Sequence, residues 1–427
     1  MSSSLKERLN YDKTFDCVQC GYCLPACPTY ETMEKETHSP RGRINLVKMV
    51  AEGKASVEDL KEPIEKCLGC MACTTVCPTN VQYGEIFVGA KRVIDEERPR
   101  RRRLVEDFFF QSFFPSTKWM NALGNVTWLY QKSGLQKVSQ RFGLTKRAPL
   151  RIHEFESALP SMPGPRNRRA RADRYVRKRP AAAKVGFFKG CVMDSVFFET
   201  NQNTVELLLR SGAEVVFPEA QTCCGALHAH TGKVDQSVEL AKRNIEAFEE
   251  EGFDYIVNNA GGCGARLVEY AHLFDEGTEW HERAVRFVDR VRDISEVLVE
   301  LDGLTFEKEL AKTVTYQPSC HLRNVQKVTS EPLDLIRRIH GVELRELERP
   351  EFCCGSAGVY NITNYEEAMD ILDVKMQDVC GTGAGGVVTS NPGCQLQMKL
   401  GVEREGLGMD AVHLVDLLME ADPRPKW

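Results

Sequence analysis

Sixteen of the seventeen cysteines in this 427-residue chain fall into patterned groups. The first eight form two copies of Cys-x2-Cys-x2-Cys-x3-Cys-Pro: Cys17, Cys20, Cys23 and Cys27 before Pro28, and Cys67, Cys70, Cys73 and Cys77 before Pro78. Thiolates are soft ligands, suited to iron–sulfur clusters and to zinc. Two residues between cysteines let one short loop wrap three thiolates around a face of a cube. The fourth thiolate must come from elsewhere, because the same loop does not reach the far corner. Proline after the last cysteine keeps the backbone from running on as helix into the site. Zinc is the plainer reading, but a zinc ribbon takes two Cys-x2-Cys pairs, four ligands in all. Here each run supplies four cysteines and a proline, and the run occurs twice.

The spacing is that of bacterial two-cluster ferredoxins, in which the fourth cysteine of each run ligates the other run's cluster. One [4Fe–4S] cluster is therefore expected on Cys17, Cys20, Cys23 and Cys77, and a second on Cys67, Cys70, Cys73 and Cys27. A chain with two such clusters carries electrons.

The elements that position these runs read as helix. Thirty-nine residues separate Cys27 from Cys67, too many for a small β-type ferredoxin. Arg43 to Val50 is apolar at helical spacing, and Val57 to Lys66 continues in the same way. Residues 1–95 are thus expected to form an α-helical ferredoxin domain. Ser39-Pro-Arg-Gly-Arg-Ile44 reads as a turn before a helix. Arg41 and Arg43 are either cluster counter-charges or the solvated start of that helix.

Residues 96–180 read as a basic and aromatic helical connector. It opens with Arg98-Pro-Arg-Arg-Arg-Arg103, closes with a basic stretch from Arg166 to Arg179, and holds Phe108, Phe109, Phe110, Phe113, Phe114, Trp119 and Trp128 between them. Cations beside aromatics suit a membrane surface. The helical spacing and the interruption at Pro115 favour packing on a neighbouring domain or subunit.

The remaining eight patterned cysteines belong to an internal repeat. Lys184 to Cys191 matches Thr313 to Cys320. Glu214 to Pro218, leading to Cys223-Cys224-Gly225, matches Glu343 to Leu347, leading to Cys353-Cys354-Gly355. Asp254 to Cys263 matches Gly386 to Cys394. The partner cysteines stand 129, 130 and 131 residues apart, a steady offset over three segments. Each repeat alternates strand and helix, with helices expected at Asn203–Arg210 and Glu331–His340 and again at Val234–Glu250 and Tyr365–Asp378. That alternation predicts a small parallel α/β sheet, and such sheets bind ligands at the carboxyl ends of their strands. Two modules, 184–300 and 313–427, would each gather four thiols at one edge: Cys191, Cys223, Cys224 and Cys263, and Cys320, Cys353, Cys354 and Cys394. Metal ligation outweighs the alternative of small buried hydrophobes, because four matched positions recur in each module. Cys380 has no counterpart and reads as packing. His228, His230 and His321 lie near the motifs, where they either donate to sulfur, move protons or serve structure. The fold class expected is α + α/β: a helical two-[4Fe–4S] ferredoxin domain followed by a duplicated small parallel α/β cysteine-rich module.

A net charge of −5 gives no general reason to expect nucleic acid. The segment from Met1 to Asn10 has no apolar core or cleavage site, so no secretory signal is read. No apolar run approaches the roughly 18 residues that span a bilayer. Many cysteines without secretion point to metal binding in a reducing cytoplasm. There is no Gly-x-Gly-x-x-Gly opening a helix after a strand, and no P-loop.

In this layout the chain resembles the iron–sulfur subunits of bacterial glycolate oxidase. Ser-Pro-Arg-Gly-Arg-Ile (39–44), Cys-Cys-Gly-Ala (223–226), Cys-Cys-Gly-Ser-Ala-Gly (353–358), Asn-Pro-Gly-Cys (391–394) and the tail from Val412 to Leu418 look like that family's motifs. The layout is shared with the iron–sulfur subunit of anaerobic glycerol-3-phosphate dehydrogenase and, more distantly, with heterodisulfide reductase, so the alternatives are a heterodisulfide-reductase-like catalytic subunit or the equivalent subunit of an anaerobic glycerol-3-phosphate or lactate dehydrogenase. The resemblance implies flavin-containing dehydrogenase subunits that oxidise a 2-hydroxy acid, with this chain passing electrons towards quinone or another acceptor. It also implies a cytoplasmic protein with peripheral contact at the inner face of the cell membrane as an option. One departure stands out. Heterodisulfide reductase modules end in Cys-x-x-Cys and so hold a fifth cysteine. Here Cys263 is followed by Gly-Ala-Arg and Cys394 by Gln-Leu-Gln. That weighs against catalytic heterodisulfide reduction and leaves one further cluster per module, one in total, or none in isolation. A pure binding scaffold is disfavoured by the eight ferredoxin cysteines.

Overall fold

A computed structural model describes residues 4–99, 106–143, 145, 152–176 and 180–426. The N-terminal part is helical. Helices Pro40–Ala51, Val57–Glu65 and Tyr83–Glu96 turn their apolar stripes inward. Leu9, Ile44, Val47, Leu60, Ile64, Ile86, Phe87 and Ala90 make that core. The expected turn at Ser39 is the helix start itself. The Ser39 hydroxyl caps Gly42 N–H and Pro40 takes the first helical position. Gly42 is required by space, since a Cβ there would stand 1.9 Å from the Glu36 carbonyl oxygen.

Beyond the connector stand two sheets. The first holds β1 (Arg174–Tyr175), β2 (Ala183–Phe187), β3 (Ala213–Val216), β4 (Tyr255–Asn258) and β5 (Val291–Asp293), in the order β1-β3-β2-β4-β5. After the short β6 (Leu304–Thr305) come β7 (Lys312–Gln317), β8 (Val342–Leu344), β9 (Gly386–Thr389) and β10 (Asp410–His413), in the order β10-β9-β7-β8. A last strand, β11 (Arg424–Pro425), pairs with β6. Within the two larger sheets, among the described residues, only the edge strand β1 runs antiparallel; β6 and β11 also pair antiparallel. The order β3-β2-β4-β5 repeats as β8-β7-β9-β10, so the duplication is one of topology as well as sequence. The helices expected first in each module run Phe198–Arg210 and Glu331–Arg337, the second ones Val234–Glu249 and Tyr365–Gly381.

The modules face one another across a shared core that takes Phe187, Leu207 and Leu298 from one and Tyr316, Ile336 and Leu417 from the other. Helix Phe198–Arg210 packs on Leu414–Glu420, and Ile294–Leu301 on Glu331–Arg337, a pseudo-twofold exchange of first and last helices. His413 pins the exchange: its Nδ1 accepts from Val415 N–H and its Nε2 donates to the Asn259 carbonyl at 2.9 Å.

The connector ties the ferredoxin part to the first module. Lys233, almost fully buried, bridges Asp95 at 2.9 Å and Asp107 at 2.8 Å. Losing one partner of such a buried pair costs about 3–5 kcal/mol. Phe110 is buried against His228 with ring centroids 5.1 Å apart, as domain packing of the aromatics requires. Phe108, Phe109 and Trp119 differ: they are exposed. Of the basic stretches, residues 100–103 and 177–179 lie outside the described residues.

Candidate metal centres

Both ferredoxin runs form the same loop. The residues on either side of the second cysteine are left-handed: Gln19 (φ 58°) and Gly21 (φ 87°) in the first, Gly69 (φ 61°) and Met71 (φ 57°) in the second. Gln19 and Met71 hold that conformation at about 1–2 kcal/mol each, a cost expected at functional loops. The turn wraps the chain around a recess. Cys17, Cys20, Cys23 and Cys77 line one recess of about 420 Å³ of empty space, and Cys27, Cys67 and Cys70 line another of about 300 Å³. Cys73 borders both. The structure thus brings Cys77 to the first run and Cys27 to the second.

The surroundings fit an anionic iron–sulfur group. Arg43 is 1% exposed, yet its hydrogen bonds go to the Pro63 carbonyl (2.7 Å), Thr29 Oγ1 (2.9 Å) and Cys27 Sγ (3.9 Å), none of them a carboxylate. A buried guanidinium needs a counter-charge. Here Cys67 and Cys27 supply it, and they keep Arg43 firmly charged despite burial. Lys91, half-buried, is lowered to about 8 by desolvation, against the attraction of Cys67. The Tyr83 hydroxyl lies 3.2 Å from Cys67 Sγ. Burial pushes the Cys70 and Cys73 thiols well up. Cys77 goes the other way: against the effect of burial, Thr79 and the N–H groups of Val81, Thr79 and Asn80 lower it. Arg41, by contrast, is paired with Glu36 at 2.7 Å and braces the first loop through the Gln19 carbonyl.

Replacing Arg43 with Met is expected to lower the reduction potential of the cluster on the second set by on the order of 100 mV, the effect of one charge at an effective dielectric constant of about 20. Arg43→Lys should restore most of it. An EPR-monitored redox titration measures both. Unchanged potentials in Arg43→Met would mean that this charge faces no cluster.

In the modules the thiols meet in the same order. Cys191 Sγ lies 3.7 Å from Cys223 Sγ. Cys223 interacts in turn with Cys224, and Cys224 with Cys263. In the second module the contacts run Cys320–Cys353, Cys353–Cys354 and Cys354–Cys394. Each cysteine follows the carboxyl end of a strand. Cys263 and Cys394 sit in the first turns of helices Gly261–Val268 and Pro392–Arg404, where the N-terminal dipole favours a thiolate. The glycine of each Cys-Cys-Gly is obligatory. Gly225 (φ 83°) and Gly355 (φ 87°) are left-handed, and a Cβ would meet Ser237 Oγ or the Ala368 carbonyl at 2.6 Å. Hydrogen bonds from Cys223 and Cys263, with the charge of Arg266, hold Cys224 well below the usual thiol range. Arg266 escaped the sequence reading, although it stands one helical turn after Cys263. Its counterpart in the second module is Gln397, so the modules differ in local charge. Among the described residues no three of His, Cys, Asp and Glu converge as ligands of a single metal ion.

The three histidines divide. His228 Nε2 donates to the Phe110 carbonyl at 2.7 Å and is structural. His321 Nδ1 reaches Cys320 Sγ at 3.9 Å. Its ring lies 5.3 Å from that of His230, which itself touches the second ferredoxin loop at Gly69. Leu68 and Cys70 join the core around Cys353, Cys354 and Cys394, and Asn324 Nδ2 donates to the Cys70 carbonyl at 2.9 Å. The second ferredoxin run therefore abuts the thiols of the second module. Cys380 is exposed, not packed as expected.

Comparison with known proteins matches residues 13–81 to a 4Fe-4S dicluster domain, and residues 185–268 and 314–399 to a cysteine-rich domain. Residues 101–159 match the linker region of the glycolate oxidase iron-sulfur subunit. A probable glycolate oxidase iron-sulfur subunit of Bacillus subtilis is 44% identical over 429 residues, covering 99% of this chain and 97% of that one. The glycolate oxidase iron-sulfur subunit of Escherichia coli is 28% identical over 399 residues, covering 90% and 89%. Lactate utilization protein A of Oceanobacillus iheyensis is 35% identical over 239 residues, 55% of this chain and 96% of that protein. The dicluster domain assigns two [4Fe–4S] clusters to the N-terminal part.

Proposed function

The chain belongs to the glycolate oxidase iron–sulfur subunit family, and on that premise we propose that it is the electron-transfer component of a flavin-dependent glycolate (2-hydroxy-acid) dehydrogenase complex. The observation that carries this reading is the pair of thiol recesses linked by the exchange of Cys27 and Cys77. When bound, iron–sulfur clusters move electrons singly, whereas oxidation of a hydroxyl carbon removes a pair, work suited to a flavin.

The chain's residues divide the remaining tasks. Cys17, Cys20, Cys23 and Cys77 hold one cluster, and Cys67, Cys70, Cys73 and Cys27 the other. The module thiols, Cys191, Cys223, Cys224 and Cys263 with Cys320, Cys353, Cys354 and Cys394, hold further iron–sulfur. Arg43 offsets charge beside the second ferredoxin set, and Arg266 does so beside Cys224. Cys20 is exposed next to exposed Val18 and Tyr22, which leaves the first recess open to an approaching partner. The contact of Cys70 with the second module's core gives the opposite, interior end. Hydride chemistry falls to flavin-bearing partner subunits, and the electrons go on to quinone or another acceptor. No helix among the described residues is long and apolar enough to cross a membrane. We propose a cytoplasmic chain with peripheral contact at the inner face of the cell membrane.

Affinity purification of the full chain from its native cells tests the partnership. A flavin-containing protein should copurify, and the mixture should reduce a dye when given glycolate. A flavin-free preparation of the chain that oxidises glycolate unaided would overturn the assignment.

A further inference from the structure

The connector's two consecutive helices, Thr117–Lys132 and Leu135–Phe142, have an outer face that none of the described residues covers. The first helix packs inward through Met120 and Gly124. Outward it presents Trp119, Leu123, Val126 and Leu129, with Val126 66% exposed. Positions 119, 123 and 126 share one helical face. The second helix continues the surface through Val138 and Phe142, the latter 71% exposed. Amphipathic helices on a protein normally turn their polar side to water. Here the water-facing side is apolar, and exposed apolar side chains gathered on one helical face mark an interaction site.

The charge pattern identifies what it meets. From Phe108 to His153 the sequence has no aspartate or glutamate, although the chain contains 61 acidic residues. The same stretch carries Lys118, Lys132, Lys137 and Arg141 on the helices and Lys146, Arg147 and Arg151 beyond them. The four on the helices are all exposed. An otherwise acidic protein thus concentrates pure positive charge around an apolar face. A protein partner would have to bring a matching acidic rim to these cations. Cations without acids around an apolar, tryptophan-bearing face complement an anionic lipid surface, and tryptophan settles at the level of the headgroups.

We propose that this acid-free helical pair is the surface by which the chain lies on an anionic lipid bilayer. The inference rests on the peripheral position proposed above and adds the surface and the lipid chemistry. Trp119, Leu123, Val126 and Phe142 enter the interface, and the four cations meet the headgroup phosphates. The helices lie on the bilayer without spanning it.

Vesicle flotation of the purified full-length chain tests the proposal. The vesicles are phosphatidylcholine alone, or phosphatidylcholine with phosphatidylglycerol. The chain should float with the anionic vesicles and bind neutral ones at least tenfold more weakly. Leu123→Glu/Val126→Glu and a fourfold Lys118, Lys132, Lys137 and Arg141→Gln variant should each lose tenfold or more. Val285→Glu, an exposed apolar site elsewhere, should bind as wild type. Brominated lipid should quench tryptophan emission in wild type and not in Trp119→Tyr. Equal flotation of wild type and both surface variants overturns this surface while leaving the peripheral position standing. Failure of the wild type to float overturns the surface. If the chain is also absent from the membrane fraction of its native cells, the peripheral position falls with it. Variants that bind vesicles normally but lose the copurifying flavoprotein would assign the face to a protein partner and overturn the lipid proposal.

Discussion

Serine at Cys77 is expected to remove the cluster whose other three thiolates come from the first run, while the cluster of the second run survives. Cys27→Ser should do the reverse. The reason is geometric. Cys77 lies beside Cys17, Cys20 and Cys23, and Cys27 beside Cys67 and Cys70, so each run closes the other's recess. A hydroxyl is a poor substitute for a thiolate as a soft ligand, and each variant should lose about half of the iron of the ferredoxin domain. Cys73 borders both recesses and provides a third test. It belongs to the second set on spacing, so Cys73→Ser should resemble Cys27→Ser. Iron and sulfide analysis with EPR of the reduced proteins separates the cases. Loss confined to the second run's cluster in Cys77→Ser would mean that the runs are not crossed.

The second large effect concerns the modules. Anaerobically prepared wild-type chain should contain iron beyond the complement of two [4Fe–4S] clusters, and Cys224→Ala and Cys354→Ala should each remove the excess belonging to their own module. Both cysteines are the central members of a series of four thiols in contact, both are buried, and both precede a glycine whose left-handed turn fixes the pair. Four thiols gathered at one sheet edge, the central pair of each set buried, form a soft ligand set suited to metal. The full-length chain is the material of choice, because Leu68 and Cys70 of the ferredoxin domain cover the second module's thiols. Wild-type protein with two-cluster iron only, and eight module thiols titrating free after reconstitution, would restrict the metal to the ferredoxin domain.

Much of this was legible in residue order. The cysteine runs carry their ligand logic in their spacing. The repeat betrayed itself through offsets that barely change, and three strands per module ended where the cysteines began. The fourth strand of each sheet was not legible. Val291–Asp293 and Asp410–His413 are too short to display a period of two, and they become strands because a neighbour's edge is available. His413 looked like part of a family motif, whereas its work is to bond the Asn259 carbonyl of the other module. The closeness of His230 to His321, and of Cys70 to Cys353, joins residues far apart in the chain and has no local signature. Arg43 was ambiguous in sequence because a helix start and a counter-charge look alike there. Burial without a carboxylate decides between them. In the connector, spacing indicated helices, but an aromatic does not declare whether it faces inward, as Phe110 does, or outward, as Trp119 does.

We propose that this chain receives electrons from 2-hydroxy-acid oxidation without performing it. Anaerobic absorbance of the reconstituted chain tests that most directly. Glycolate added to the chain alone should leave the iron–sulfur absorption unchanged, dithionite should bleach it, and glycolate with a catalytic amount of the flavin-bearing subunits should bleach it to the same extent. Bleaching by glycolate with no flavin present would make the chain itself the oxidase, and clusters that dithionite reduces but that stay oxidised while active flavin subunits turn over glycolate would exclude it as their electron acceptor.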